Sequence, residues 1–337
     1  MKAVGYKTPS PIDAPDSLVD ITLPDPVPTG HDLLVEIMAV SVNPVDTKVR
    51  KSAGPFEGNE YRILGYDAAG VVRSVGPEVT LFKPGDEVFY AGTIGRQGTN
   101  AELHLVDERI VGPKPKTLSF PHAAALPLTS ITAWELLFDR FGVPEGPAST
   151  GSILIIGGAG GVGSIFIQLA RQLTGLTVIA TASRPETQAW CLELGAHHVI
   201  DHSQPLPPQL ASLGIPEVQI VASLTATDKH YPGILDALAP EGKLGLIDDP
   251  ATFDARLLKR KSISLHWESM FTRSVFQTPT MHRQHELLSR ISALVDAGTL
   301  RSTFDHEIGP INAETLKKAH ALIESGRSQG KVVLAGF

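Results

Sequence analysis

Hydrophobic and polar positions follow two different rhythms along this chain. From residue 1 to about residue 122, short apolar runs such as Leu33-Leu-Val-Glu-Ile-Met-Ala-Val40 and Gly70-Val-Val-Arg-Ser-Val-Gly76 are separated by Pro and Gly turns, which predicts an all-β region. From about residue 123 to residue 271, apolar runs at 153–156, 178–181, 198–200, 218–222, 243–247 and 262–267 alternate with helical stretches. Six strands of that kind predict a doubly wound parallel sheet. Beyond residue 271 the periodicity predicts a helix over 286–297 and another after Asn312, a residue suited to cap it. Leu316, Ala319, Leu322 and Ile323 form the apolar face of that second helix, Gly326 supplies a stop, and a last strand covers 331–334. The expected organisation is therefore 1–122, 123–271 and 272–337. Pro205-Leu-Pro-Pro208 reads as a surface loop, and no repeat, heptad or low-complexity tract is evident.

One of these junctions carries chemistry. The run Ile153-Leu-Ile-Ile-Gly-Gly-Ala-Gly-Gly-Val-Gly163 leads straight into Ser164-Ile-Phe-Ile-Gln-Leu-Ala-Arg171, joining a buried strand, a glycine turn and a helix. Gly158, Gly160 and Gly163 fit the GxGxxG spacing. There the first glycine is expected to make the tight turn, the second to admit a pyrophosphate and the third to let helix and strand pack closely. The unpaired N–H groups and positive dipole end of the following helix suit two phosphates. The cofactor-binding set is thus Gly158, Ala159, Gly160, Gly161, Val162 and Gly163. A strand-to-helix turn made only for packing is the alternative.

The next strand ends in Ala182-Ser183-Arg184, and no carboxylate lies between Ser164 and Pro185. An enzyme for the unphosphorylated dinucleotide places Asp or Glu there to bind the ribose 2′-hydroxyl. Ser183 and Arg184 instead match a 2′-phosphate. NADPH is therefore expected over NADH, with a solvated Arg184 at the start of a helix as the alternative.

Composition narrows the class without identifying the reaction. The 337 residues are 42% hydrophobic and 19% charged, ordinary for a globular chain with room for two cores. A net charge of −7 with no basic run argues against nucleic acid and acidic membrane surfaces as partners. No apolar stretch has membrane-spanning length and Met1-Lys-Ala-Val-Gly-Tyr6 begins like a strand, so a cytoplasmic location is expected. The single cysteine, Cys191, excludes an internal disulfide framework and reads as a packed core thiol.

Several segments together resemble the medium-chain dehydrogenase/reductase superfamily, and within it the quinone oxidoreductase or zinc-type alcohol dehydrogenase-like branch. They are Asn43-Pro-Val-Asp46, Leu64-Gly-Tyr-Asp-Ala-Ala-Gly70, Lys83-Pro-Gly-Asp-Glu-Val88, Gly98-Thr-Asn-Ala-Glu102, the run from Ala125 to Trp134, and the glycine loop with Gln168 and Arg171. The resemblance implies a GroES-like β-barrel domain, completed by the C-terminal tail, beside a Rossmann domain, with the active site in the cleft between them and dimers as the common assembly. It also exposes a departure. Zinc-dependent members use two cysteines and a histidine for catalytic zinc and four cysteines for structural zinc, whereas this chain has one cysteine. Asp46 and Tyr66 stand at or near the ligand positions, and neither His282 with His285 nor His197 with His198 brings an evident third ligand.

Without a Lewis acid, reduction of a polarised double bond is easier to support than alcohol oxidation. The expectation is an NADPH-dependent, zinc-independent reductase of quinones or α,β-unsaturated carbonyls, acting on a small molecule as a homodimer. An alcohol dehydrogenase with an atypical metal site and a nonenzymatic NADPH-binding protein remain as alternatives. By the resemblance, Asn43 and Asp46 are a polar pair for substrate or nicotinamide ribose, Tyr66 is the proton donor or carbonyl-binding group, and Thr132 contacts the nicotinamide. Asn43 and Asp46 also read as a turn motif, Tyr66 as a packed aromatic wall and Thr132 as helix N-terminal packing. Tyr90, Ser223, Leu224 and Thr225 are expected to line the cofactor cleft, with Gly330 and Lys331 reaching the cofactor from the tail.

Overall fold

The computed structural model describes residues 1–337. In chain order the strands are β1 (Lys2–Tyr6), β2 (Val19–Thr22), β3 (Asp32–Val42), β4 (Arg62–Ile63), β5 (Ala68–Val75), β6 (Glu87–Tyr90), β7 (Leu103–Asp107), β8 (Val111–Pro113), β9 (Ser152–Ile156), β10 (Thr177–Thr181), β11 (His198–Ile200), β12 (Val218–Ser223), β13 (Leu238–Leu246), β14 (Ser264–Trp267), β15 (Phe304–Gly309) and β16 (Lys331–Ala335). The helices are α1 (Pro44–Ser52), α2 (Phe120–Ala124), α3 (Pro127–Trp134), α4 (Gly161–Leu173), α5 (Pro185–Glu193), α6 (Leu206–Ser212), α7 (Thr227–Ala237), α8 (Thr272–Val275), α9 (Arg283–Asp296) and α10 (Ala313–Glu324). No helix is long and apolar enough to cross a membrane. The chain divides into two compact units, Met1–Ile131 with Phe271–Phe337, and Thr132–Met270, so the first boundary falls inside α3.

The second unit is an α/β layer structure built on a six-stranded parallel sheet in the order β11-β10-β9-β12-β13-β14. Helices must cover both faces of such a sheet, which is why β9 reads as an unbroken apolar run and is buried throughout. Strand order reverses between β9 and β12, and in open sheets of this kind ligands bind at the carboxyl ends of the strands at that reversal. One core cluster includes Leu154, Ile156, Val221, Ile234, Leu244 and Leu246. The segment 205–208 is not a surface loop. Pro207 and Pro208 lie in the first turn of α6, where a missing N–H costs nothing, and Leu206 and Leu210 are buried beneath them.

The first unit holds two sheets. β2-β1-β4 is antiparallel, and the larger sheet runs β15-β16-β3-β5-β6-β8 with β7 also paired to β3. The tail enters this unit through β16, which pairs antiparallel with β3. Its helix α10 begins at Asn312, whose side chain accepts the Thr315 N–H at 3.0 Å as the cap pattern predicts. The fully buried Arg50 of α1 donates to Glu324 of α10 and to the Ser10 carbonyl and lies 3.2 Å from His320 Nδ1, tying the tail to the first helix.

Candidate functional site

The glycine loop connects β9 to α4, and its glycines divide the work differently from the spacing rule. Gly157, which the motif reading omitted, has the left-handed backbone (φ 82°) that makes the turn. Gly158 does not; a Cβ there would meet Ala180 Cβ at 2.8 Å and Cys191 Sγ at 3.2 Å, so it is a packing glycine. At Gly163 a Cβ would lie 2.4 Å from the Gly157 carbonyl oxygen and 2.6 Å from that of Gly158, which fixes how closely α4 abuts the loop. Gly160 caps α4 and has open space around it, its nearest neighbour to a Cβ being 3.5 Å away. Gly160, Gly161 and Val162 are partly exposed, while Ala159 is buried. The N–H groups of Gly161, Val162 and Gly163 have no carbonyl one turn earlier within the helix. Bare backbone with spare donors at an accessible helix start fits a dinucleotide pyrophosphate.

Around this loop the sheet ends bring further residues together. Gly157 donates its N–H to Thr181 Oγ1 at 3.0 Å, and Gly158 donates to the Thr181 carbonyl at 3.0 Å. Thr225 packs against Gly157, Leu224 N–H donates to the Ile156 carbonyl at 3.3 Å, and Ser223 is buried with its hydroxyl 2.7 Å from Thr227 Oγ1. At the end of β10, Ser183 is exposed and Arg184 half-exposed, with Arg184 Nε 2.7 Å from the Glu186 carboxylate. An ion pair at that exposure contributes little and rearranges readily. Cys191 is buried and its thiol is pushed up to about 12 by desolvation, the behaviour of a core residue.

The polar residues of the first unit form a second, buried cluster. Asn43, Asp46, Asp67 and Lys331 are each almost completely buried. Asp67 accepts from Ser41 Oγ and Asn43 Nδ2 at 2.8 Å, from Lys331 Nζ at 2.9 Å and from the Leu128 N–H at 2.8 Å. Lys331 also donates to Asn43 Oδ1 and, at 3.3 Å, to the Val42 carbonyl. Its ammonium is therefore held inside the first unit, next to left-handed Gly330. Asp46 occupies the third position of α1 and accepts the N–H groups of Asn43 at 2.8 Å and Gly65 at 2.9 Å. The Asn43-Pro44-Val-Asp46 string is thus a helix start. Asn43 spends its amide on Asp67 and Lys331.

Tyr66 is fully buried, edge-on to Phe271 at 5.3 Å between ring centroids, and its hydroxyl donates to no acceptor, with the Arg62 guanidinium beside it. Burial, with the Asp46 carboxylate adding to it and the Arg62 guanidinium opposing it, pushes the phenol far above the usual tyrosine range, so it stays protonated. Tyr90 is also buried, but its hydroxyl sits 3.1 Å from His104 Nδ1, whose other nitrogen faces the Gln97 carbonyl at 2.9 Å. Thr132, the first residue of the second unit, is buried on α3.

These side chains do not fit a zinc site. No group of three or more His, Cys, Asp or Glu is arranged to hold a metal ion. Zinc wants thiolate or imidazole ligands, and here a protonated phenol, an amide, an ammonium and two carboxylates already committed to donors stand together. His285 Nδ1 faces the Val111 carbonyl at 2.6 Å, and His197 Nδ1 accepts the Val178 N–H at 2.9 Å.

Asp46 gives a pH-dependent expectation. Burial, partly offset by the two N–H bonds and by Lys331, raises its carboxyl from 3.8 to about 7. Between those values the folded chain holds a proton that the unfolded chain has released, so Asp46's contribution to stability is present below the lower value and lost as pH rises through about 7. Asp46→Asn cannot ionise, and its melting temperature is expected to fall less than that of the wild type between pH 5 and pH 8. Parallel melting curves across that range would remove Asp46 as the source.

Comparison with known proteins agrees with this architecture. Residues 29–116 match the alcohol dehydrogenase GroES-like domain and residues 194–334 match the zinc-binding dehydrogenase family. A zinc-type alcohol dehydrogenase-like protein of Staphylococcus aureus is 40% identical over 99% of this chain and 99% of its own length. The 2-methylene-furan-3-one reductase of Solanum lycopersicum is 30% identical over 99% of this chain and 79% of its own. A Rhizobium etli CFN 42 crystal structure bearing a provisional zinc-dependent alcohol dehydrogenase name is 62% identical, covers 100% of this chain and 98% of its own, and superposes with a TM-score of 0.97. The chain belongs to the medium-chain dehydrogenase/reductase superfamily and is an oxidoreductase, with a Rossmann-type parallel sheet and a GroES-like domain.

Proposed function

We propose that this oxidoreductase is a zinc-independent, NADPH-dependent reductase of α,β-unsaturated carbonyls or quinones. The observation that carries the reading is the Tyr66 hydroxyl, a buried donor kept protonated and left without an acceptor by the fold. When bound, NADPH supplies hydride to the electron-poor carbon of the substrate. Tyr66 donates a hydrogen bond to the carbonyl oxygen, where negative charge builds, and so stabilises it electrostatically, and the proton that completes the reduction is taken from solvent. Gly160, Gly161, Val162 and Gly163 hold the pyrophosphate with backbone N–H groups, and Leu224 and Thr225 wall the loop. Arg184 and Ser183 take the 2′-phosphate. Asn43, Asp67 and Lys331 would hold the polar wall of the site rigid as a buried cluster, with Asp46 holding the start of α1, and Thr132 would contact the nicotinamide. The donor set around Tyr66 supports zinc independence, and the tomato relative, an enone reductase by its name, supports the substrate class. A net charge of −7 without a basic run supports a small-molecule substrate over nucleic acid. We also infer a cytoplasmic homodimer, which light scattering in dilute solution tests for assembly.

The test follows oxidation of the reduced nicotinamide against a panel of quinones and enones, with NADPH and NADH in parallel, on protein of measured zinc content. Turnover with NADPH at negligible zinc is the expected result. Alcohol oxidation that appears only when zinc is restored would overturn it. Arg184→Ala is expected to raise KM for NADPH about tenfold or more, because a charge-assisted bond contributes about 1.5–3 kcal/mol and about 1.4 kcal/mol is a factor of ten. NADH kinetics should hardly change. Equal losses with both cofactors remove Arg184 from the phosphate site.

A further inference from the structure

We propose that His202 and His230 form a proton-dependent specificity pair for the 2′-phosphate of NADPH, taking up protons from solvent as the phosphate binds. The proposal rests on the NADPH reading above and names residues that the sequence motifs do not reach. In the parallel register of β10 and β11, Thr181 lies opposite Ile200, and Ala182 donates its N–H to the Ile200 carbonyl at 3.0 Å. Asp201-His202 therefore leaves the sheet beside Ser183-Arg184. His202 Nδ1 lies 3.1 Å from Thr181 Oγ1, the same oxygen that accepts the Gly157 N–H, so the ring is anchored to the glycine loop through one hydroxyl. The ring of His230, on α7, stands edge-on to His202 with centroids 5.6 Å apart. No hydrogen bond from the protein holds the His230 ring. Both rings are half-exposed.

The charged neighbours decide the sign. Burial and Lys229 hold His202 below the usual histidine range, against the pull of Asp201. Burial, His202 and Lys229 do the same for His230, against Asp248 and Asp228. Asp201 and Asp248 are already engaged. Asp201 accepts the Ser203 N–H at 2.8 Å, and Asp248 accepts the Thr227 N–H at 2.9 Å and the Thr227 hydroxyl at 2.5 Å. The pair is therefore neutral near pH 7 in the empty protein. A dianion placed against it reverses the balance, because what held protons off was desolvation and positive charge. A protein binding a neutral ribose hydroxyl there gains nothing from protonation, so the linkage distinguishes the two dinucleotides.

Calorimetric titration of NADPH and NADH in two buffers of different ionisation heat, at about pH 7.5, measures the protons taken up. The 2′-phosphate, with a second pKa of about 6, is already dianionic there and adds little. The expected result is uptake of about half a proton with NADPH and none with NADH, and an NADPH Kd that rises about tenfold from pH 6.5 to pH 8 while that of NADH stays level. His202→Gln is expected to abolish the difference. NADPH bound more tightly than NADH with equal proton uptake overturns the histidine pair and leaves the NADPH reading standing. Equal Kd values overturn both. Uptake that persists in both His202→Gln and His230→Gln places the proton elsewhere and overturns the assignment. The wild-type comparison needs no variant, so a substituted chain that fails to fold does not void the test.

Discussion

Lys331→Met is expected to destabilise the protein by about 3–5 kcal/mol, the usual cost of removing one partner from a buried ion pair. Methionine fills nearly the same space, so the loss is electrostatic. Asp67 has no exposed surface and would be left with only the Ser41, Asn43 and Leu128 donors. The cluster also joins three distant parts of the chain, since Lys331 begins β16, Asn43 follows β3 and Asp67 precedes β5. Urea unfolding of the first unit gives the number. Pairing the substitution with Asp67→Asn should return part of the loss, because the uncompensated charge is then gone. A single variant that unfolds within half a kcal/mol of the wild type would mean that the buried ammonium contributes no net stability. A double variant no better than the single one would place the cost in packing.

The parts of this molecule that were legible in the sequence are those in which one local pattern decides one element. β9, β10 and β12 follow largely buried apolar runs, β11 is the short edge strand of the same sheet, and α10 follows its Asn312 cap and four-residue apolar face. β13 begins at Leu238 rather than 243 because Pro240-Glu241-Gly242 is absorbed by a shift in register against β12 between Val218 and Ile220, with Glu241 at φ 62°. The helix α6 was hidden for the opposite reason, since two prolines announce a loop unless they fall in a first turn. At the candidate site, motif spacing located the glycine loop but misassigned its turn. Gly157 takes the left-handed backbone, while Gly158 is required by Ala180 and Cys191 packing against it, a tertiary fact. The Asn43 side chain is a similar case. Its sequence context marks a helix cap, and only the fold shows that a lysine 288 residues away takes its oxygen. His202 and His230 carried no signal, because nothing in the sequence brings β11 and α7 together.

Tyr66→Phe is expected to lower kcat for enone reduction about a hundredfold while leaving KM within about a factor of three, as removal of a donor that acts mainly on developing charge should. Folding stability is the control that separates this role from a packed aromatic wall. Because the fold gives the hydroxyl no acceptor, its removal takes away an unsatisfied buried group, and the variant should be as stable as the wild type or more so, by up to about 1–3 kcal/mol. The edge-on contact with Phe271 survives the substitution, since the ring is unchanged. The pH profile adds a second constraint. With its ionisation pushed far above the ordinary tyrosine range by burial and Asp46, Tyr66 is protonated throughout the working range and introduces no alkaline limb. A hundredfold loss that is flat with pH, in a protein of undiminished stability, identifies Tyr66 as the donor to the carbonyl oxygen. Unchanged kcat with raised stability identifies it as a wall.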